Sequence, residues 1–162
     1  MDNFNDAMTG DSTVDSGNQT IYQLNELLRG EISAAETYRL AIDKVADVQN
    51  TSAGLLRSIQ EEHGRAAQGI RARIRELGGE AADSSGVWGV WAKTVQGTMN
   101  IFGDKASLKA LKEGEEHGLK DYQEAVAQVD SASAQLISNQ MIPSQERHIS
   151  VLDQLMTHPV SA

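Results

Sequence analysis

The sequence predicts an all-α fold: an antiparallel four-helix bundle made of two duplicated helical hairpins joined by a long crossover. Apolar residues recur at helical spacing in four segments, about 21–46, 55–77, 108–129 and 136–156, and strand signals are almost absent. Two short motifs recur in the same order in both halves, which marks an internal duplication. At 162 residues the chain fits one domain with one core.

Each element follows from its residues. Positions 1–19 are rich in Asp, Asn, Ser, Thr and Gly, with no basic start and no apolar run of the signal-peptide kind, and are expected to be a disordered tail ahead of a bundle spanning 20–158. The first helix carries the stripe Leu24, Leu27, Leu28, Ala35, Ile42 and Val45. Thr51 and Ser52 can cap the second helix, whose stripe is Leu56, Ile59, Ala67, Ile70 and Ile74, and Gly78 with Gly79 stops it. The crossover 78–105, about 28 residues long, exceeds the usual bundle loop, and its 88–102 part is expected to form a short helix covering the bundle. Asp104 can cap the third helix, with Leu108, Leu111, Leu119, Val126 and Val129 on its inner face. A short turn at 130–133 leads to the fourth, marked by Met141, Val151, Leu152 and Leu155. Pro143 interrupts that helix by removing a backbone donor, so a bend or a fresh helical start is expected there.

Composition narrows the chemistry. There is no cysteine, so disulfides and thiolate ligands are excluded, any metal must be held by oxygen and imidazole, and a reducing, cytoplasmic setting fits. Fourteen Lys and Arg against 23 Asp and Glu give a formal charge of -9, which argues against nucleic acid or an anionic membrane as partner. The least charged stretch, 86–103, holds four Gly, Lys93 and several polar residues, so it does not read as a transmembrane span. Nucleophilic-triad, phosphate-loop and dinucleotide signatures are absent. Val87, Trp88, Val90, Trp91, Ile101 and Phe102 exceed what a short crossover buries on its own bundle, and a homodimer is expected.

The repeat locates a candidate site. Gly30-Glu31 is followed seven residues after the Glu by Tyr38, and Gly114-Glu115 at the same distance by Tyr122. The second helix then has Gln60-Glu61-Glu62-His63, and the fourth Gln145-Glu146-Arg147-His148. Glu31 to His63 is 32 positions and Glu115 to His148 is 33. In an antiparallel pair, level residues are equidistant from the turn; one midpoint falls near Ser131, inside the expected loop, and the other near Asp47. With about 100° per residue, Glu31, His63, Glu115 and His148 fall in the middle of their apolar stripes. Gln145 also points inward, Gln60 sits at a stripe edge, and Glu62 is marginal. A lone buried carboxylate is costly, so two Glu and two His converging at one level call for a shared counter-ion. Iron, manganese or zinc suits such ligands.

These residues carry a resemblance. Leu24-Asn25-Glu26-Leu27-Leu28, Arg75-Glu76-Leu77-Gly78-Gly79-Glu80 and Lys112-Glu113-Gly114-Glu115 resemble the ferritin-like superfamily, most closely bacterial four-helix-bundle proteins of a domain-of-unknown-function family. The resemblance covers about 20–155 and follows the rubrerythrin-like pattern. It implies that Glu31, Glu115, His63 and His148 are metal ligands, with Tyr38 and Tyr122 in the shell behind them. Where that pattern has Glu three residues before each His, this chain has Gln60 and Gln145. Two carboxylates then face up to two divalent cations, which favours one metal, or a weak pair, over a tight di-iron centre.

Three functions compete at this level. One is a metal-handling protein whose iron or manganese meets dioxygen or peroxide, with Gln60, Gln145 or Glu62 as extra ligands. Another is a non-catalytic stress or interaction bundle whose inner Glu and His form a metal-free network. Cage-type iron storage has nothing in the sequence pointing to it. His117 with Glu113 reads as a solvated i, i+4 pair, and Trp88 and Trp91 as anchors of the crossover.

Overall fold

The structure, a computed structural model, describes residues 9–45, 51–89, 93 and 104–157. Among these residues there is no strand, and the helices form a bundle of four rods. The first two rods are α1, Thr9–Val45, and α2, Thr51–Glu76; the third is α3, Asp104–Ala125. The fourth is composite: α4, Ser131–Leu136, runs through a π-helical turn, Ile137–Met141, into α5, Ile142–Thr157. A 3₁₀ turn, Gly86–Trp88, lies beyond α2.

The rod ends follow from local chemistry. Gly78, at φ 75°, donates to the carbonyl of Arg75 and Gly79 to that of Ile74, so two of the last carbonyls of α2 are satisfied by a glycine cap. Gly79 is also a close approach, since a Cβ there would lie 2.8 Å from Ile21 of α1. Asp130 caps α4 by accepting from the N–H groups of Ala132 and Ser133. It also binds the guanidinium of Arg73 at 2.8 Å, which ties α2 to the turn after α3.

Three elements differ from the sequence expectation. Helical backbone begins at Thr9, within the stretch expected as a tail, because extending a helix is cheap once it is nucleated. The extension enters the bundle at buried Thr20, whose hydroxyl accepts the N–H of Asp130 at 3.0 Å. The third rod stops at Ala125 and turns through 126–128, yet Val126 and Val129 still pack on the core. Pro143 does not break the fourth rod. The turn ahead of it widens instead, and Ile142 donates to the carbonyl of Ile137 in an i→i−5 bond.

Packing is uneven. α1 lies mainly on α2 and α3 mainly on α5, with thinner contact between α1 and α3 and between α2 and α5. The start of the crossover runs along α1: Asn25 accepts the N–H of Ala82 and donates to the carbonyl of Glu80, and Ser33 donates to the carbonyl of Trp88. Of the stretch 88–102, in which a short helix is expected, only Trp88, Gly89 and Lys93 are described; Val90, Trp91, Ile101 and Phe102 lie outside the described residues. No described helix is long and apolar enough to cross a membrane.

Candidate metal centre

The apolar core is in two parts. One joins Leu24, Leu28, Ile70, Ile74 and Ile137; the other joins Ile42, Leu56, Ile59, Leu111, Leu152 and Leu155. A polar layer of Glu31, His63, Glu115, Gln145 and His148, all buried, belongs to neither. The helices force this, since each polar residue replaces an apolar one at core spacing: Glu31 follows Leu24, Leu27 and Leu28, and His63 stands between Ile59 and Ala67.

His63 is the hub. Its Nδ1 lies 2.8 Å from Glu31 and its Nε2 3.0 Å from Glu115. The other oxygen of Glu115 is 3.3 Å from Nδ1 of His148, whose Nε2 is 3.0 Å from Glu62. The two imidazoles meet edge to face at 4.9 Å between centroids. Tyr122 donates to Glu31 at 2.6 Å and Tyr38 donates to Glu115, so each tyrosine serves the carboxylate of the other repeat unit. Gln145 donates to the carboxylate and the main-chain carbonyl of Glu115, and Gly118 makes room for it, since a Cβ there would lie 2.8 Å from the amide nitrogen.

Electrostatics bind the layer together. Burial works against a charged His63, but the flanking carboxylates Glu31 and Glu115 outweigh it and raise its pKa from 6.5 to about 10. Burial pushes Glu115 up, while His63 and the hydrogen bond to His148 pull it down to about 2. Tyr38 and Tyr122 are raised well above 10.0, by burial first and then by the carboxylates they touch, so both remain protonated donors. In the absence of a metal the layer is therefore an imidazolium held between two carboxylates.

The same groups fit a cation. His63, Glu115 and His148 each offer one donor atom, all within 4.8 Å of one another, on three different helices, and this buried group could hold a metal ion. The donor set is two imidazoles and a carboxylate, suited to a borderline divalent metal. Glu31 stands apart from those three atoms, on the far nitrogen of His63, where a carboxylate fixes an imidazole's tautomer and orientation. Two cavities reach the layer, one of about 460 Å³ between α1 and α3 and one of about 360 Å³ between α2 and α5. Glu31, His63, Tyr122 and Gln145 line both.

A model of a domain of unknown function, DUF2383, matches residues 19–128, more than half of the chain. The chain belongs to the DUF2383 family. No curated protein and no solved structure matches it. The DUF2383 match takes in Glu31, His63 and Glu115 with both tyrosines, and ends before Gln145 and His148.

Within this DUF2383 chain the structure separates the expected site residues. Glu31, His63, Glu115, His148, Tyr38, Tyr122 and Gln145 come together. Gln60 is half-buried and makes no hydrogen bond to the layer. Glu62 was the marginal one by helical phase, yet it binds His148 and also Arg147, at 2.9 Å. No sequence signal required that contact, since Arg147 is largely exposed and also bonds Pro143 and Ser144 of its own helix. His117 pairs with Asp121 at 3.5 Å rather than with Glu113, which faces Lys109. Trp88 packs 5.4 Å from the His117 ring, and its buried indole N–H has no hydrogen-bond partner among the described residues.

Proposed function

We propose that this DUF2383 chain is a metal-handling four-helix bundle of the ferritin-like kind, with a single divalent ion held by His63, Glu115 and His148 and with Glu31 orienting His63. The observation that carries the reading is the set of three buried donor atoms from three helices lying within 4.8 Å. The recurrence of Gly-Glu, Tyr and His in both halves supports descent from a duplicated hairpin, in which Gln60 and Gln145 stand in place of two carboxylates. With Glu31 and Glu115 as the only acids in the layer, one ion is the better charge match. Bound iron or manganese would supply Lewis acidity and electron exchange with dioxygen or peroxide; zinc would supply the first alone. Tyr38 and Tyr122 hold the carboxylates in place as neutral donors, and Gln145 fixes Glu115. Val87, 80% exposed at the start of the crossover, is consistent with an apolar surface shared between two copies.

A second reading has its own support. The layer is already closed, because His63 as an imidazolium answers both carboxylates without any ion. On that reading the protein is a non-catalytic stress or interaction bundle. Anaerobic calorimetric titration with ferrous and manganous ions separates the two. Uptake of one ion per chain that Glu115→Gln abolishes supports the metal centre; a parent protein that takes up neither ion establishes the closed network.

A further inference from the structure

From the mouth of the cavity between α2 and α5, lined by Arg147, Glu62 and His148, an unbroken file of polar atoms leads from solvent to Glu115 behind it and on to His63. Arg147, with its side chain 59% exposed, reaches Glu62 at 2.9 Å, and Glu62 is 25% exposed. The same Glu62 oxygen lies 3.0 Å from Nε2 of His148, a side chain only 4% exposed. His148 then reaches Glu115 at 3.3 Å, and Glu115 reaches His63 at 3.0 Å. Carboxylate and imidazole alternate, each within hydrogen-bond reach of the next, and exposure falls from Arg147 to Glu115, which is as buried as His63. Small walls leave space beside the file: Ala66 and Gly69 of α2 face Met141 at the end of the π-helical turn.

The other cavity lacks such a file. It is larger, and acids stand at its rim, including Glu113, Asp121 and Glu124. Its lining mixes Leu27, Ala34 and Leu111 with Ser33, Thr37, Tyr38 and His117, whose polar atoms are already engaged: Ser33 and Thr37 donate to main-chain carbonyls, Tyr38 donates to Glu115, and His117 pairs with Asp121. A divalent ion entering there meets no relay of carboxylate and imidazole like the one through Glu62 and His148, so charged ligands do not replace its water step by step.

We propose that Glu62 is the uptake residue of the buried centre: a divalent cation binds first between Glu62 and His148 at the mouth of the α2–α5 cavity and passes from there to Glu115 and His63. This rests on the metal-centre reading above. The partly exposed carboxylate exchanges water ligands one at a time, and His148, which presents one nitrogen to the mouth and the other to Glu115, spans the two positions. Arg147 holds the Glu62 carboxylate when no ion is there and competes with an arriving cation for the same oxygen. Glu62 therefore governs the rate of loading, while the final affinity belongs to the buried donors.

Cobalt(II), whose visible absorption reports imidazole and carboxylate coordination, is the probe, followed by stopped flow and by equilibrium titration. Glu62→Gln should slow both uptake and release by about tenfold or more, the scale of a lost steering charge, with the equilibrium Kd little changed. Arg147→Gln should speed both. Uptake unchanged in Glu62→Gln, or a Kd weakened wholly through faster release, overturns the proposal, the latter making Glu62 a ligand of the centre instead. Failure of the parent to bind cobalt at equilibrium sinks the metal-centre reading and this proposal with it. Both substitutions replace partly exposed side chains, and unchanged far-ultraviolet dichroism verifies that the variants are folded.

Discussion

His63 sits between Glu31 and Glu115, so its charge is held by the fold and the fold is held by its charge. Its raised pKa means that this stabilisation is complete below 6.5 and is lost as pH rises towards about 10. The lowered pKa of Glu115 means that its contribution is complete above 4.5 and is lost as pH falls towards about 2. The melting temperature of metal-free protein, followed by circular dichroism in chelator, should plateau between about 4.5 and 6.5 and fall on both sides. His63→Gln should remove the alkaline decline. The two glutamines of the repeat differ in the same local way. Gln145 touches Glu115, so Gln145→Glu should lower metal-free stability by placing like charges together, and tighten divalent-ion binding about tenfold or more. Gln60→Glu should leave both unchanged. Helical phase alone revealed which Glu and His point inward, because they lie in the centre of their stripes. It also set inward Gln145 apart from Gln60 at its stripe edge, but it did not reveal that Glu62 reaches His148, because that contact depends on how far facing helices rotate against each other. The sequence reading paired His117 with Glu113 and missed Asp121 for a related reason: an i−4 and an i+4 acid both suit it, and Lys109 takes Glu113.

At the scale of elements, the fourth rod explains a one-residue asymmetry. Glu31 and His63 are 32 positions apart, and Glu115 and His148 are 33. An i→i−5 turn holds one residue more than an α-turn, and Ile137–Met141 is such a turn, placed just before Pro143. The extra residue is therefore absorbed without rotating His148 out of the core. Deleting exposed Asn139 should let the turn regularise and leave the melting temperature within a few degrees of the parent. Deleting exposed Glu146 should instead rotate His148 by about 100° relative to Gln145 and lower the melting temperature steeply, although it removes no more buried surface. Equal losses from the two deletions would show that the π-turn has no phasing role. The four rods were legible from apolar periodicity and glycine stops. The start of α1 and the π-turn were not, since the first depends on propagation from an anchored helix and the second on how a proline is accommodated.

The whole molecule is two apolar cores with a charged layer between them, and the layer holds α1 and α2 to α3 and α5 where direct packing is thin. Such a layer is expensive to break and not necessarily expensive to replace. His63→Leu leaves Glu31 and Glu115 buried with no cation between them, at a cost of roughly 3–5 kcal/mol. Changing Glu31, His63, Glu115, Gln145 and His148 to Leu and Tyr38 and Tyr122 to Phe removes every member, so no buried polar atom of the layer is orphaned. Glu62, at the surface, can then rehydrate. Chemical unfolding in chelator should find this sevenfold variant at least as stable as the metal-free parent and clearly more stable than His63→Leu, while it binds no metal at all. That outcome means the layer is kept for what it binds, because stability alone would favour an apolar core. A sevenfold variant less stable than His63→Leu would mean the opposite: the imidazolium and its two carboxylates would be a net structural asset, and the closed network would account for the geometry of the layer without any ion.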